Sequence, residues 1–170
     1  MIAVNDTGVA IARALVETCI QKNLVLASAE SCTGGLIAAT ITDIAGSSAV
    51  FDRSFVTYSN EAKMAMLGVR AATLEAHGAV SRQTAVEMAE GALLHSNADI
   101  TVSVTGIAGP AGGSEDKPVG LVHFGCARRD GLVAFEHHRF PGDRRQVREA
   151  AVNRALALLL EAAGTLEENS

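Results

Sequence analysis

The sequence predicts a three-layer α/β/α sandwich on a mixed sheet of about five strands, and three observations carry that expectation. Helical and strand periodicities alternate in the order α-β-α-β-α-α-α-β-loop-β-β-α, which calls for crossovers between parallel strands. Two late strands meet at Arg129-Asp130-Gly131 and read as a hairpin, so the sheet is mixed. The 170 residues, 48% hydrophobic and 19% charged, suit one domain with one core and exclude a disordered, collagen-like or low-complexity chain. Residues 1–170 are therefore read as a single domain, with 165–170 a frayed tail.

The first helix is capped by Asn5 or Asp6, and Val9, Ala12, Leu15, Val16, Cys19 and Ile20 recur with helical period. Leu24 to Ala27 reads as a short buried strand ending at Ser28–Ser31. Thr33 to Ala45 is small and apolar, a helix whose Gly34 and Gly35 allow close packing near its start. Val50 to Tyr58 reads as a strand. Asn60 or Ser59 caps a helix that Gly68 stops, a short helix spans Thr73–His77, and Ser81 caps a longer one. Asp99–Thr105 is a clear strand. The Gly/Pro-rich stretch Gly106 to Pro118 is a loop, Val119–Ala127 and Leu132–Phe140 are the hairpin strands, and Asp143 caps a final helix to about Ala163.

Composition narrows the function classes. With 4% aromatics, no Trp and one Tyr, the chain has no broad platform for stacking bases, and a net charge of -5 disfavours a phosphate backbone. Direct nucleic-acid binding is not expected. The charge is uneven: between His123 and Arg154 seven Arg face four acids, leaving a local excess of +3 that suits one small anionic ligand. Three widely spaced cysteines without a C-x-x-C argue against disulfides or structural zinc and fit a reducing cytosol. Neither a signal peptide nor a membrane span is legible, so the expectation is a cytoplasmic protein with no membrane partner. A homo-oligomer, a dimer, is expected only because small α/β enzymes commonly form one.

Four stretches carry possible chemistry. Ala29-Glu-Ser-Cys-Thr-Gly-Gly35 joins a buried strand to a helix, where free N–H groups could hold a developing oxyanion beside a nucleophilic hydroxyl; Ser or Thr there more often just caps the helix. Tyr58-Ser-Asn-Glu-Ala-Lys63 places the single Tyr five residues before one of only three lysines. A desolvated Lys there can act as a base near neutral pH, although a surface Lys and a core Tyr are the ordinary alternative. The loop Thr105 to Gly113 lets backbone approach an anion or flat ring but matches neither a Walker A loop nor G-x-G-x-x-G. Arg144 and Arg145 in the first turn of a helix are electrostatically unusual unless an anion sits nearby. The five histidines show no metal-ligand spacing, and Cys32 is read as buried behind the first turn rather than as a nucleophile.

Together AESCTGG, GSSAVFDRSFVTYSNEAK, LGV, HGAVS, ADITVSVTGIAGPAGG, KPVGLV and GDRRQVRE resemble the C-terminal domain family of competence/damage-inducible protein A, from about residue 8 to 162. The resemblance implies a pyridine-nucleotide amidohydrolase, converting nicotinamide mononucleotide and water to nicotinate mononucleotide and ammonia with no cofactor and no metal. It further implies the stand-alone form, since 170 residues leave no room for the pyrophosphatase-like domain of some relatives. Carried over, Ser31 is the nucleophile or water-orienting hydroxyl, Lys63 its base and Tyr58 the proton relay. On this reading the N–H groups of Cys32, Thr33 and Gly34 hold the oxyanion. Thr105, Gly106, Ala108 and Gly109 hold the ribose phosphate with Arg145, and Ser48 lies near the ring. One departure is visible: the loop reads GPAGG where the family has GPGGG, and the Cβ of Ala111 disfavours a positive φ there. The competing readings are a non-catalytic pyridine-nucleotide-binding module and a competence or DNA-repair interaction protein.

Overall fold

A computed structural model describes residues 5–131 and 133–166. Asn5 caps α1 (Asp6–Lys22) through its side chain, and Asn23 ends it in the left-handed conformation. There follow β1 (Leu26–Glu30), α2 (Leu36–Thr42), a short 3-10 turn at Ser47–Ala49, β2 (Phe51–Val56), α3 (Asn60–Leu67), α4 (Ala71–His77) and α5 (Arg82–Leu94). The chain closes with β3 (Ile100–Gly106), β4 (Leu121–Arg128), β5 (Val133–Arg139) and α6 (Arg144–Gly164). The expected N-caps Ser59, Ser81 and Asp143 are all used, the last as a capping box with Gln146.

The sheet order is β2-β1-β3-β4-β5, with β2, β1 and β3 parallel and the last two pairings antiparallel. Helices α1, α2 and α6 cover one face over a core that includes Leu15, Leu26, Ile37, Ile100, Phe124 and Leu156. Helices α3, α4 and α5 cover the other over Ala29, Phe55, Leu67, Met88 and Ala92. The three-layer sandwich on five mixed strands is thus the observed fold. Among the described residues no helix is long and apolar enough to cross a membrane, and all three cysteines are free and buried.

Three elements start two or more residues later than their sequence suggests: β1, α2 and, at Leu121 rather than Val119, β4. Leu24 does not open β1, because its N–H closes the end of α1 on the Cys19 carbonyl while Val25 N–H bonds the Asp99 side chain. Helix α2 begins at Leu36 rather than Thr33. Gly34 and Gly35 sit at φ +59° and +100°, and the Glu30 carboxylate takes the N–H groups of Gly35, Ile37 and Ala38. The expected first residue of the second hairpin strand, Leu132, lies outside the described residues, as do 167–170 of the expected frayed tail.

This topology creates one special place. The connection leaving β1 runs to β2 on one side, whereas β3 continues to β4 on the other. The carboxyl ends of β1 and β3 are therefore neighbours whose following chains diverge, which opens a crevice at the strand tips.

Candidate active site

Ser31 sits at that crevice, one residue past β1, with its N–H bonded to the Val104 carbonyl at 3.0 Å. This bond extends the ladder onto β3 and fixes the serine backbone. Lys63 arrives from the opposite direction. The Ser59 hydroxyl caps α3 by accepting from Ala62 N–H at 3.0 Å, which sets the helix start and turns Lys63 inward. Only 1% of Lys63 remains exposed. Its Nζ donates to the Thr57 carbonyl at 2.8 Å and to Ser31 Oγ at 3.0 Å.

Desolvation holds the Lys63 pKa below its ordinary value. The one opposing influence would be a Cys32 thiolate, but burial pushes that thiol up to about 12, so it is uncharged near neutral pH. Among the described residues no carboxylate forms an ion pair with Lys63. A neutral Lys63 amine keeps an N–H on Thr57 and turns its lone pair to Ser31, so the 3.0 Å contact can run as Ser31 O–H to Lys63 Nζ.

A cavity of about 270 Å³ opens above the pair. Ser31, Cys32 and Lys63 form its base, Tyr58 and Asn60 one wall, and Ala79 and Val80 another. The strand end and loop from Thr105 to Gly112 form the third side, and Arg144 stands over it. Gly106 and Gly109 are needed for that loop to lie so close: a Cβ on either would fall 2.7 and 2.5 Å from Val122 and Val119 side-chain carbons. Ala111 causes no conflict, since Asn23 is the one non-glycine at positive φ among the described residues.

Of the residues the sequence singled out, Ser31, Tyr58, Lys63, Cys32, Thr105, Gly106, Ala108 and Gly109 meet at this cavity. Others do not. Ser48 lies in the 3-10 turn before β2, at the opposite edge of the parallel strands from Ser31, and cannot touch a ring bound in the cavity of the same chain. Arg145 points into an adjoining groove and pairs with Glu149 at 2.9 Å, while Arg144 reaches the cavity, bonding the Gly109 carbonyl at 2.8 Å and the Tyr58 hydroxyl at 3.2 Å. Tyr58 is 65% exposed and its hydroxyl is held by Arg144 rather than by Ser31 or Lys63, so it is not a relay between them here. Thr33 is fully buried with its hydroxyl on Glu30, and the Gly34 N–H is spent on the Ser31 carbonyl, which removes it as an oxyanion donor. The Thr105 hydroxyl donates to the Ala79 carbonyl at 2.8 Å and so ties two cavity walls together.

Sequence reasoning missed Asn60, Ala79 and Val80 and chose the wrong arginine of an adjacent pair. A signal for Arg144 was available. Arg144, Arg148, Ala151 and Ala155 fall at i, i+4, i+7 and i+11, the row that packs inward along α6, whereas Arg145 is about 100° away.

The fold and site define a three-layer α/β domain with a buried serine–lysine pair at a topological switch point. Residues 9–163 match the CinA C-terminal domain, and the chain belongs to that family. It is 63% identical over 125 residues to a protein of Enterobacter agglomerans named nicotinamide-nucleotide amidohydrolase PncC, covering 73% of this chain and 76% of that one. It is 56% identical over 139 residues to a putative competence-damage inducible protein of Caldicellulosiruptor bescii, covering 82% of this chain but 34% of that one. The chain thus spans about a third of the length of that longer relative. The crystal structure of the competence/damage inducible protein CihA from Agrobacterium tumefaciens superposes with a TM-score of 0.93 at 49% identity, covering 97% of this chain and all of that one.

Proposed function

We propose that the chain is a nicotinamide-nucleotide amidohydrolase, releasing ammonia from the carboxamide of nicotinamide mononucleotide to leave nicotinate mononucleotide. The observation that carries the reading is the buried 3.0 Å contact between Lys63 Nζ and Ser31 Oγ. The Enterobacter agglomerans relative bearing that activity's name supports the substrate.

The geometry translates into steps. Neutral Lys63 takes the Ser31 proton as Oγ bonds to the carboxamide carbon, whose carbonyl electron pair moves to oxygen. We assign the hold on that developing charge to the Cys32 N–H, next to the nucleophile at the cavity base. Collapse breaks the C–N bond, Lys63 returns its proton to nitrogen, and ammonia leaves. Water then attacks the acyl-serine, giving one proton to Lys63, which passes it to Ser31 Oγ as the carboxylic acid departs and ionises to solvent. The cationic pyridinium withdraws electrons from the carboxamide and so favours attack by a neutral-lysine-activated hydroxyl.

At the far side of the cavity, Arg144 supplies the cation for the substrate's phosphate, with Gly106, Ala108 and Gly109 giving close backbone approach. The test is ammonia release from nicotinamide mononucleotide, free nicotinamide and the dinucleotide, by the chain and by Ser31→Ala. Selective release from the mononucleotide, lost in Ser31→Ala while the ligand still binds, is the expected result. Binding without release by the unmodified chain would leave a nucleotide-binding module instead.

A further inference from the structure

The turn that carries Ser31 is gripped from two directions. On the sheet side the fully buried Glu30 collects six donors: Thr33 Oγ1 at 2.8 Å, the N–H groups of Gly35, Ile37 and Ala38 at 3.2, 3.0 and 3.1 Å, Ser54 Oγ at 3.0 Å and Ser28 Oγ at 3.2 Å. From α6, Arg148 donates through Nε to the Cys32 carbonyl at 3.0 Å and through Nη2 to the Thr33 carbonyl at 3.2 Å. The guanidinium lies close over Gly34, where an added Cβ would stand 3.4 Å from Nη2.

The amides of the turn are then accounted for one by one. Ser31 N–H bonds the Val104 carbonyl, Gly34 N–H the Ser31 carbonyl, and Gly35 N–H Glu30. Among the described residues, Cys32 and Thr33 N–H have no carbonyl or carboxylate acceptor. A trans peptide points its C=O and N–H in opposite directions. Drawing the Cys32 carbonyl toward α6 therefore fixes the Cys32–Thr33 peptide plane, the next plane along the chain from the Cys32 N–H at the cavity base.

We propose that Arg148 is a positioning residue for hydrolysis: by holding the Cys32 and Thr33 carbonyls it fixes the turn that follows Ser31, so that the Cys32 N–H at the cavity base serves the carboxamide oxyanion. The inference rests on the proposed amidohydrolase reading. Arg148 itself touches backbone and is absent from the cavity lining, so its influence reaches the substrate only through these peptide planes. Planar, two-pronged donation is what a guanidinium provides and an ammonium does not.

The experiment compares the parent, Arg148→Met and Arg148→Lys by steady-state ammonia release from nicotinamide mononucleotide, with melting temperature measured beside it. Loss of oxyanion orientation predicts a kcat in Arg148→Met lower by about 10- to 1,000-fold with KM within about threefold of the parent. Arg148→Lys keeps the charge but reaches one carbonyl at a time, and recovers only part of the loss. A parental kcat in Arg148→Met, a loss confined to KM, or full recovery by lysine would overturn the proposal. So would a drop in melting temperature with kcat unchanged where the variant is folded, which marks a purely structural tie. Should Arg148→Met not fold, Arg148→Lys decides alone, and a parental kcat there overturns the proposal. A parent that releases no ammonia refutes the amidohydrolase reading itself, whereas an active parent with an indifferent Arg148 refutes only this inference.

Discussion

Replacing Lys63 with methionine tests the electrostatic premise of the mechanism without relying on turnover. Lys63 is 1% exposed and its pKa is lowered from 10.5 by desolvation. In the unfolded chain it returns to the ordinary value. Between the lowered folded pKa and the unfolded one, the unfolded state binds more protons than the native state, so stability rises with pH across that window. Below the window both states are protonated and the native protein carries the full penalty of a buried ammonium. Methionine has similar length and nothing to titrate. The stability of the parent relative to Lys63→Met should therefore climb with pH by up to about 1.4 kcal/mol per unit inside the window. For a chain of this size each kcal/mol moves the melting temperature by about 2–4 °C, so the difference shifts by about 3–6 °C per pH unit. Scanning both proteins from pH 6 to 10 and plotting the difference cancels every other titration they share. A flat difference would mean that Lys63 titrates alike in both states. It would then be a cation at neutral pH, and the base role would fall. In activity the same variant should lose about 10²- to 10⁴-fold in kcat.

Three further outcomes follow. Arg144→Gln should raise KM for nicotinamide mononucleotide by about tenfold or more, the worth of one charge-assisted contact, and leave turnover of the phosphate-free riboside near its parental value; Arg145→Gln should change neither, and steady-state kinetics on both substrates separates the pair. Glu30→Ala strips the acceptor from six buried or part-buried donors and should lower stability by about 3–5 kcal/mol, read from urea denaturation. Gly91→Ala places a methyl 2.0 Å from the Leu67 carbonyl oxygen where α5 meets α3, and should cost about 1–3 kcal/mol with a lower melting temperature.

What the sequence disclosed depends on how local the cause was. Caps at Ser59, Ser81 and Asp143 are decided within four residues, and the structure uses all three. The start of α2 is not local: it waits on the Glu30 carboxylate folding back over residues 33 to 38. The choice between Arg144 and Arg145 depended on the rotation of α6 about its axis, which the inward row of alanines records. Ser48 was misplaced for a reason that chain direction exposes. It precedes β2, and in a parallel sheet residues before a strand lie at the opposite edge from Ser31, which follows one. Resemblance supplied the pairing of Ser31 with Lys63; only the fold shows that their contact is direct and leaves Tyr58 free for Arg144.

The placement of Glu30 next to Ser31 raises the question of why a carboxylate adjacent in sequence to the nucleophile does not spoil the base. A carboxylate about 4 Å from the Lys63 amine would stabilise its protonated form by about 4 kcal/mol at an effective dielectric of 20, about three pKa units, and would oppose the downward shift that desolvation gives. Strand alternation prevents this. Leu26, Ser28 and Glu30 face α2, whereas Ala29 belongs to the opposite core and Ser31 continues that face toward α3. The acid is thus held behind the strand by Thr33, Ser54 and the start of α2, and the amine lies in front of it against Thr57. A one-residue shift of β1 would exchange the two faces, bringing the carboxylate to Lys63 and burying the hydroxyl under α2. The parallel register of Leu26 with Ile100 and of Glu30 with Val104 is therefore a chemical constraint as well as a packing one. It keeps an acid and a base on opposite sides of one strand, so that desolvation can hold the lysine's pKa down beside its serine.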